Sequence, residues 1–71
     1  MFEPDQKVIY IGVQDPSSVF NLPKDREVVT ILKMDPNFQN GWFLKEYPEN
    51  KDGHPQGFFT HELYPHNDDK N

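Results

Sequence analysis

Seven prolines and no alanine in a chain of 71 residues leave little room for packed helices, because proline breaks a helix interior and alanine is its best former. The apolar content runs instead to six Phe, three Tyr and one Trp beside Val and Ile, side chains that fit a pleated, half-buried surface. The sequence therefore predicts a mainly β protein. At 34% hydrophobic content, a chain this short can form only one core and hence one domain. Without cysteine, neither disulfides nor a thiolate-ligated zinc can brace it, so the fold rests on a core worth roughly 3–5 kcal/mol at this size.

Twelve acidic against seven basic residues give a net charge of −5. With a single arginine there is little material for a phosphate-facing surface, which disfavours direct nucleic-acid binding. No stretch approaches the roughly 20 apolar residues of a membrane span, and Met1-Phe2-Glu3-Pro4-Asp5 has neither the basic start nor the apolar run of a signal peptide. The expectation is a cytoplasmic, monomeric protein with no membrane contact.

Along the chain, Lys7-Val8-Ile9-Tyr10-Ile11-Gly12 reads as a first strand closed by glycine. A long loop follows from Val13 to Arg26, with turn signatures at Asp15-Pro16-Ser17-Ser18 and Leu22-Pro23-Lys24-Asp25 and an apolar anchor in Val19, Phe20 and Leu22. Loops of this length are usually functional or packed by their own side chains. Glu27 to Met34 is a second strand, with Val29 and Ile31 on one face and Val28 and Leu32 on the other; only one set can be fully inside. Asp35 to Gly41 turns the chain, with Asn40-Gly41 expected to supply positive-φ positions, and Trp42 to Tyr47 returns as a third strand. Pro48 to Gln56 is a polar loop, Gly57-Phe58-Phe59-Thr60 a short fourth strand, and Thr60-His61-Glu62-Leu63 a single 3-10 turn with Thr60 as its cap. Leu63-Tyr64-Pro65 closes as a fifth strand. Residues 1–6 are expected as an N-terminal extension, 7–65 as the domain, and 66–71 as a disordered polar tail.

This order of elements resembles an SH3-like barrel over roughly residues 7 to 65. Leu22-Pro23-Lys24-Asp25-Arg26-Glu27-Val28-Val29 looks like the end of an RT loop entering the second strand. Asn40-Gly41-Trp42-Phe43 stands where SH3 domains carry a tryptophan pair, Gly57-Phe58-Phe59-Thr60 resembles their fourth strand, and His61-Glu62-Leu63-Tyr64 their 3-10 turn. The resemblance implies a five-stranded antiparallel barrel with the 3-10 turn before its last strand. The groove residues of polyproline-binding SH3 domains are only half present: the first-strand region has one tyrosine, Tyr10, rather than two, the fourth-strand proline position is Thr60, and the 3-10 tyrosine position is Leu63. The chain looks closer to short bacterial and phage proteins of SH3-like fold.

Several clusters invite a chemical reading. Trp42 shares a strand face with Leu44, and Phe43 shares the other with Lys45 and Tyr47, so whichever aromatic set faces out offers a peptide- or cation-binding patch unless loops fold over it. His54, His61 and His66 match no metal-ligand spacing, although His61 and Glu62 with Asp68-Asp69 could gather an ion; no cofactor or metal is expected. Ser17 and Ser18 sit in a turn, and nothing resembles a nucleophile elbow. Asp15, Asp25, Asp35, Glu46, Glu49 and Asp52 are either solvated turn charge or a negative face for a basic partner. The functional expectation is a non-catalytic protein-binding adaptor or modulator using the 13–26 loop and the aromatics of the third strand, with Phe20, Asp25, Trp42, Phe43 and Tyr47 as binding residues. The alternative is an acidic inhibitor or DNA mimic acting on a nucleic-acid enzyme.

Overall fold

The structure, a computed structural model, describes residues 2–66. The expected tail lies outside the described residues except for His66. Five antiparallel strands form, β1 (Lys7–Tyr10), β2 (Val28–Met34), β3 (Gly41–Leu44), β4 (Phe58–Phe59) and β5 (Leu63–Pro65), in the order β4-β3-β2-β1-β5, with a 3-10 turn over Thr60–Glu62 before the last. The longest strand, β2, is central and pairs with β1 on one side and β3 on the other. Its register against β3 shifts between Ile31 and Lys33, so Leu32 sits at a bulge that bends the strand.

Four strands are shorter than the sequence suggests: β2 starts at Val28, β4 covers only Phe58 and Phe59, and β1 and β3 end early. β1 stops at Tyr10, where the chain is already closed by exchanged hydrogen bonds: the Tyr10 N–H donates to the Glu27 carbonyl and the Arg26 N–H to the Tyr10 carbonyl, both at 2.9 Å. β3 stops at Leu44 because the Glu46 side chain takes the place of a ladder carbonyl. Its carboxylate accepts from the Thr30 N–H and the Thr30 hydroxyl, each at 2.8 Å, while Lys7 Nζ donates to that same hydroxyl at 2.8 Å.

Two local details also differ. Neither Asn40 nor Gly41 has positive φ; among the described residues that conformation falls to Asp5, Arg26 and Gly53. The 35–41 turn is built by Asp35 instead, whose Oδ1 accepts from the Asn37 N–H at 2.9 Å and whose N–H donates to the Gly41 carbonyl at 2.9 Å. Gly41 is needed for space, since a Cβ there would lie 3.1 Å from Phe38 Cβ and 3.2 Å from Asp35 Cβ. Thr60 is the first residue of the 3-10 turn rather than its cap; the Glu62 carboxylate accepts from the Phe59 N–H at 3.0 Å.

The core comprises Phe2, Val8, Tyr10, Val29, Ile31, Trp42, Leu44, Phe58 and Leu63. Alternation selects the buried set on β2: Val29 and Ile31 lie inside, while Val28 and Leu32 are exposed. The segment expected to precede the domain contributes to this core, because Phe2 packs edge-on against Trp42 with ring centroids 5.3 Å apart. Behind Phe2, the Asp5 N–H donates to the Ile31 carbonyl at 2.7 Å, and the Ile31 N–H to the Gln6 carbonyl at 2.9 Å. None of the described helices is long and apolar enough to cross a membrane.

Candidate binding cleft

The 13–26 and 48–56 loops lie side by side and enclose an open cleft of about 710 Å³. Each loop first organises itself through short polar side chains. Asp15 Oδ1 accepts from the Ser17 N–H at 3.0 Å and the Ser17 hydroxyl at 2.7 Å, contacts that hold the Asp15 carboxyl below its ordinary pKa. The Ser18 hydroxyl accepts from the Phe20 N–H, so the Ser17 hydroxyl is committed to the Asp15 carboxylate and that of Ser18 to the loop backbone. In the other loop, Asn50 Oδ1 accepts from the Asp52 and His54 N–H groups, and Gly53 supplies the positive φ of the reversal.

Gln56 then joins the two loops. Its side chain is 2% exposed; Oε1 accepts from the Asn21 N–H at 3.0 Å, and Nε2 donates to the carbonyls of Asn21 at 2.9 Å and Tyr47 at 3.1 Å. An amide used this fully fixes both backbones at one point. Three outer contacts extend the seam: Asn21 Nδ2 to the Glu49 carbonyl, the Lys51 N–H to the Val19 carbonyl, and Lys51 Nζ to the Pro16 carbonyl.

Of the residues expected to bind, the structure brings two into this cleft. Phe20 lines it at 44% exposure, and Tyr47 lines it half-buried and packed against the core. The Tyr47 hydroxyl donates to both carboxylate oxygens of Glu27, at 2.8 and 2.9 Å. Burial first, then that hydrogen bond and the charges of Glu27 and Glu46, push its pKa up to about 12. Glu46 also lines the cleft; burial opposes its charged form, but the hydrogen bonds from Thr30, together with its own backbone N–H and the Lys7 charge, hold its pKa below the ordinary value.

The other three lie elsewhere. Trp42 is 5% exposed, its indole N–H donating to the Thr60 hydroxyl at 2.8 Å, so no ring face remains for a partner. Phe43 is half-buried beneath Lys33, whose Nζ stands 5.9 Å from the ring centroid. Asp25 is exposed in the turn before β2 and does not line the cleft. The acids do not share one face either: Asp15, Glu46 and Glu49 line the cleft, whereas Asp35 is buried beneath the 35–41 turn. Among the described residues, no three His, Cys, Asp or Glu side chains gather as a metal site.

Two exposed aromatics escaped the sequence reading. Phe38 and Phe59 meet edge to face with centroids 6.3 Å apart, and His61 stacks on Phe59 at 5.7 Å. Phe59 was readable in principle, since alternation along β4 forces one of Phe58 and Phe59 outward. Gln56 carried no such signal, because a glutamine beside a proline in a polar loop looks like any solvated residue. Comparison with known proteins finds no matching family model, no matching curated protein and no matching solved structure.

Proposed function

We propose that the protein is a non-catalytic binding module that docks an extended segment of another protein in the cleft between the 13–26 and 48–56 loops, on a sheet curled as an SH3-like barrel. The barrel reading is supported by the element order, the 3-10 turn before β5 and a bent β2 shared between two groups of three strands. The observation that carries the functional reading is the buried Gln56 seam. A chain of this size has little stability to spare, yet it buries a fully bonded amide that pins two loops together at one point beside the cleft. A cleft fixed in advance reduces the ordering cost of binding. Phe20 and Tyr47 supply the apolar contacts, and Asp15, Glu46 and Glu49 against Lys51 favour a segment of net positive charge.

Selection from a random peptide display library tests this reading directly. Wild type is expected to enrich basic, extended peptides, with Phe20→Ala weakening the selected peptides about tenfold and moderate dependence on salt. If no peptide is enriched, the module reading fails. A complex with a nucleic-acid enzyme that collapses steeply with salt and ignores Phe20→Ala would put the acidic inhibitor in its place.

A further inference from the structure

On the far side of Phe20 a smaller pocket of about 200 Å³ opens between the 35–41 turn and β4. Its walls are mostly rings. Phe38 and Phe59, 58% and 47% exposed, meet at an interplanar angle of 87° and form two adjoining sides, and Phe20 lines the pocket from the long loop. Two polar side chains line it, Asp35 and Gln56, and the Gln56 amide is committed to Asn21 and Tyr47. Asp35 is 7% exposed, and its Oδ1 accepts from the Asn37 N–H. Its Oδ2 meets no donor among the described residues and lies between two lining glycines: a Cβ on Gly57 would come within 3.1 Å of it, and one on Gly41 within 3.5 Å.

Asp35 is mostly buried, yet its unbonded Oδ2 is not sealed from solvent and opens to the pocket, where a positive partner can reach it. Among the described residues the ion pair present joins Lys45 to Asp5, on exposed surface, so no lysine or arginine neutralises Asp35. The pocket thus presents aromatic walls, one unmatched anionic oxygen, and a glycine, Gly57, whose side chain would otherwise crowd that oxygen. Phenylalanine faces attract cations, and more strongly where water is excluded.

We infer that this pocket is a binding site for an alkylammonium group, the terminal cation of a lysine side chain or its N-methylated form, seated between Phe20, Phe38 and Phe59 with Asp35 as its counter-ion. The inference stands apart from the cleft reading, since the pocket shares only Phe20 with the cleft. Each can fail alone.

Amide NMR titrations with tetramethylammonium chloride, n-butylammonium chloride and neutral tert-butanol, at constant ionic strength, test it. Saturable shifts centred on Phe38, Gly57 and Phe59 are expected with the cations, and at least tenfold weaker binding with tert-butanol. Asp35→Asn keeps the Oδ1 acceptor for Asn37 and should weaken cation binding about tenfold; Phe38→Leu keeps an apolar wall without a π face and should weaken it about threefold. Tighter binding of tetramethylammonium assigns the pocket to a methylated lysine, and tighter binding of n-butylammonium to an unmodified one. The site is refuted by equal affinity for tert-butanol, by the absence of saturation, or by shifts centred elsewhere. Should Asp35→Asn unfold, Phe38→Leu, at an exposed position, decides with the same three probes.

Discussion

Inside the sheet, Tyr10, Trp42 and Phe58 are at most 5% exposed and packed edge to face against other rings, whereas at the loop rim Phe20, Phe38 and Phe59 are 44%, 58% and 47% exposed. The interior rings that carry a polar atom satisfy it within the chain: the Tyr10 hydroxyl donates to the Val13 carbonyl at 2.7 Å, and the Trp42 indole to Thr60. The rim rings have no polar atom to satisfy and little packing to gain. Core rings are thus accounted for by stability alone. Those at the rim are not, and clustered exposed apolar surface of this kind marks contact sites.

β4 sets the two regions one residue apart. Phe58 is 2% exposed against Tyr10, with ring centroids 5.7 Å apart, and Phe59 points the other way. Phe58→Ala should cost about 3–5 kcal/mol, comparable with the whole stability of a domain this size, and leave the chain largely unfolded in urea titrations. Phe59→Ala should cost about 1 kcal/mol or less, from its contacts with Phe38 and His61. Similar losses from both substitutions would erase the distinction between interior and rim.

The rim depends on Gln56 as the interior depends on its rings. Gln56→Ala should lower stability by about 2–3 kcal/mol, because the Asn21 N–H and two carbonyls lose their partner in a part-buried seam. Faster hydrogen exchange should be confined to the Asn21 amide and its neighbours. If exchange instead rises uniformly, the seam belongs to the core and the two regions unfold as one. Gly12→Ala probes the join from the other end. A Cβ at Gly12 would stand 2.6 Å from Tyr10 Oη, so the buried ring must shift and loosen its bond to Val13, at a cost of about 1–2 kcal/mol readable in the melting temperature.

What could be read from the sequence follows the same division. The order of elements along the chain, the long loop, the 3-10 turn and the division of β2 into two faces all rest on periodicity and turn chemistry, which are local. Alternation placed Trp42 with Leu44 and opposite Phe43, but only the fold shows that Phe2 and Thr60 close over the Trp42 face. The site was half legible for a related reason. Phe20 and Tyr47 sit where a loop and a strand end would meet a partner, whereas the Gln56 seam joins residues 35 positions apart, and the packing of Phe38 against Phe59 spans 21. No spacing rule reaches that far. Glu46 shows the limit most directly: in sequence it is one more acid of the third strand, and in the fold its carboxylate replaces a strand carbonyl and ends β3.

Tyr47 lies where the two regions meet, packed on the core and lining the cleft, and its titration reports on that junction. Its folded pKa is raised from 10.0 to about 12, so the group's contribution to stability is fully present below pH 10 and is lost as pH rises from there through about 12. Wild type should therefore lose stability across this alkaline window, and Tyr47→Phe should lose less of it. Some slope will persist in the variant, because Tyr10 is also raised, by burial first and then by Glu62. At neutral pH the same substitution removes a hydrogen bond to Glu27 and should cost about 1 kcal/mol. Phenolate absorbance provides an independent check, since the Tyr47 phenolate should appear only as pH approaches about 12. If Tyr47 titrated at its ordinary 10.0 instead, the Glu27 contact would be absent in solution, and the cleft wall would be free to move rather than anchored to the sheet.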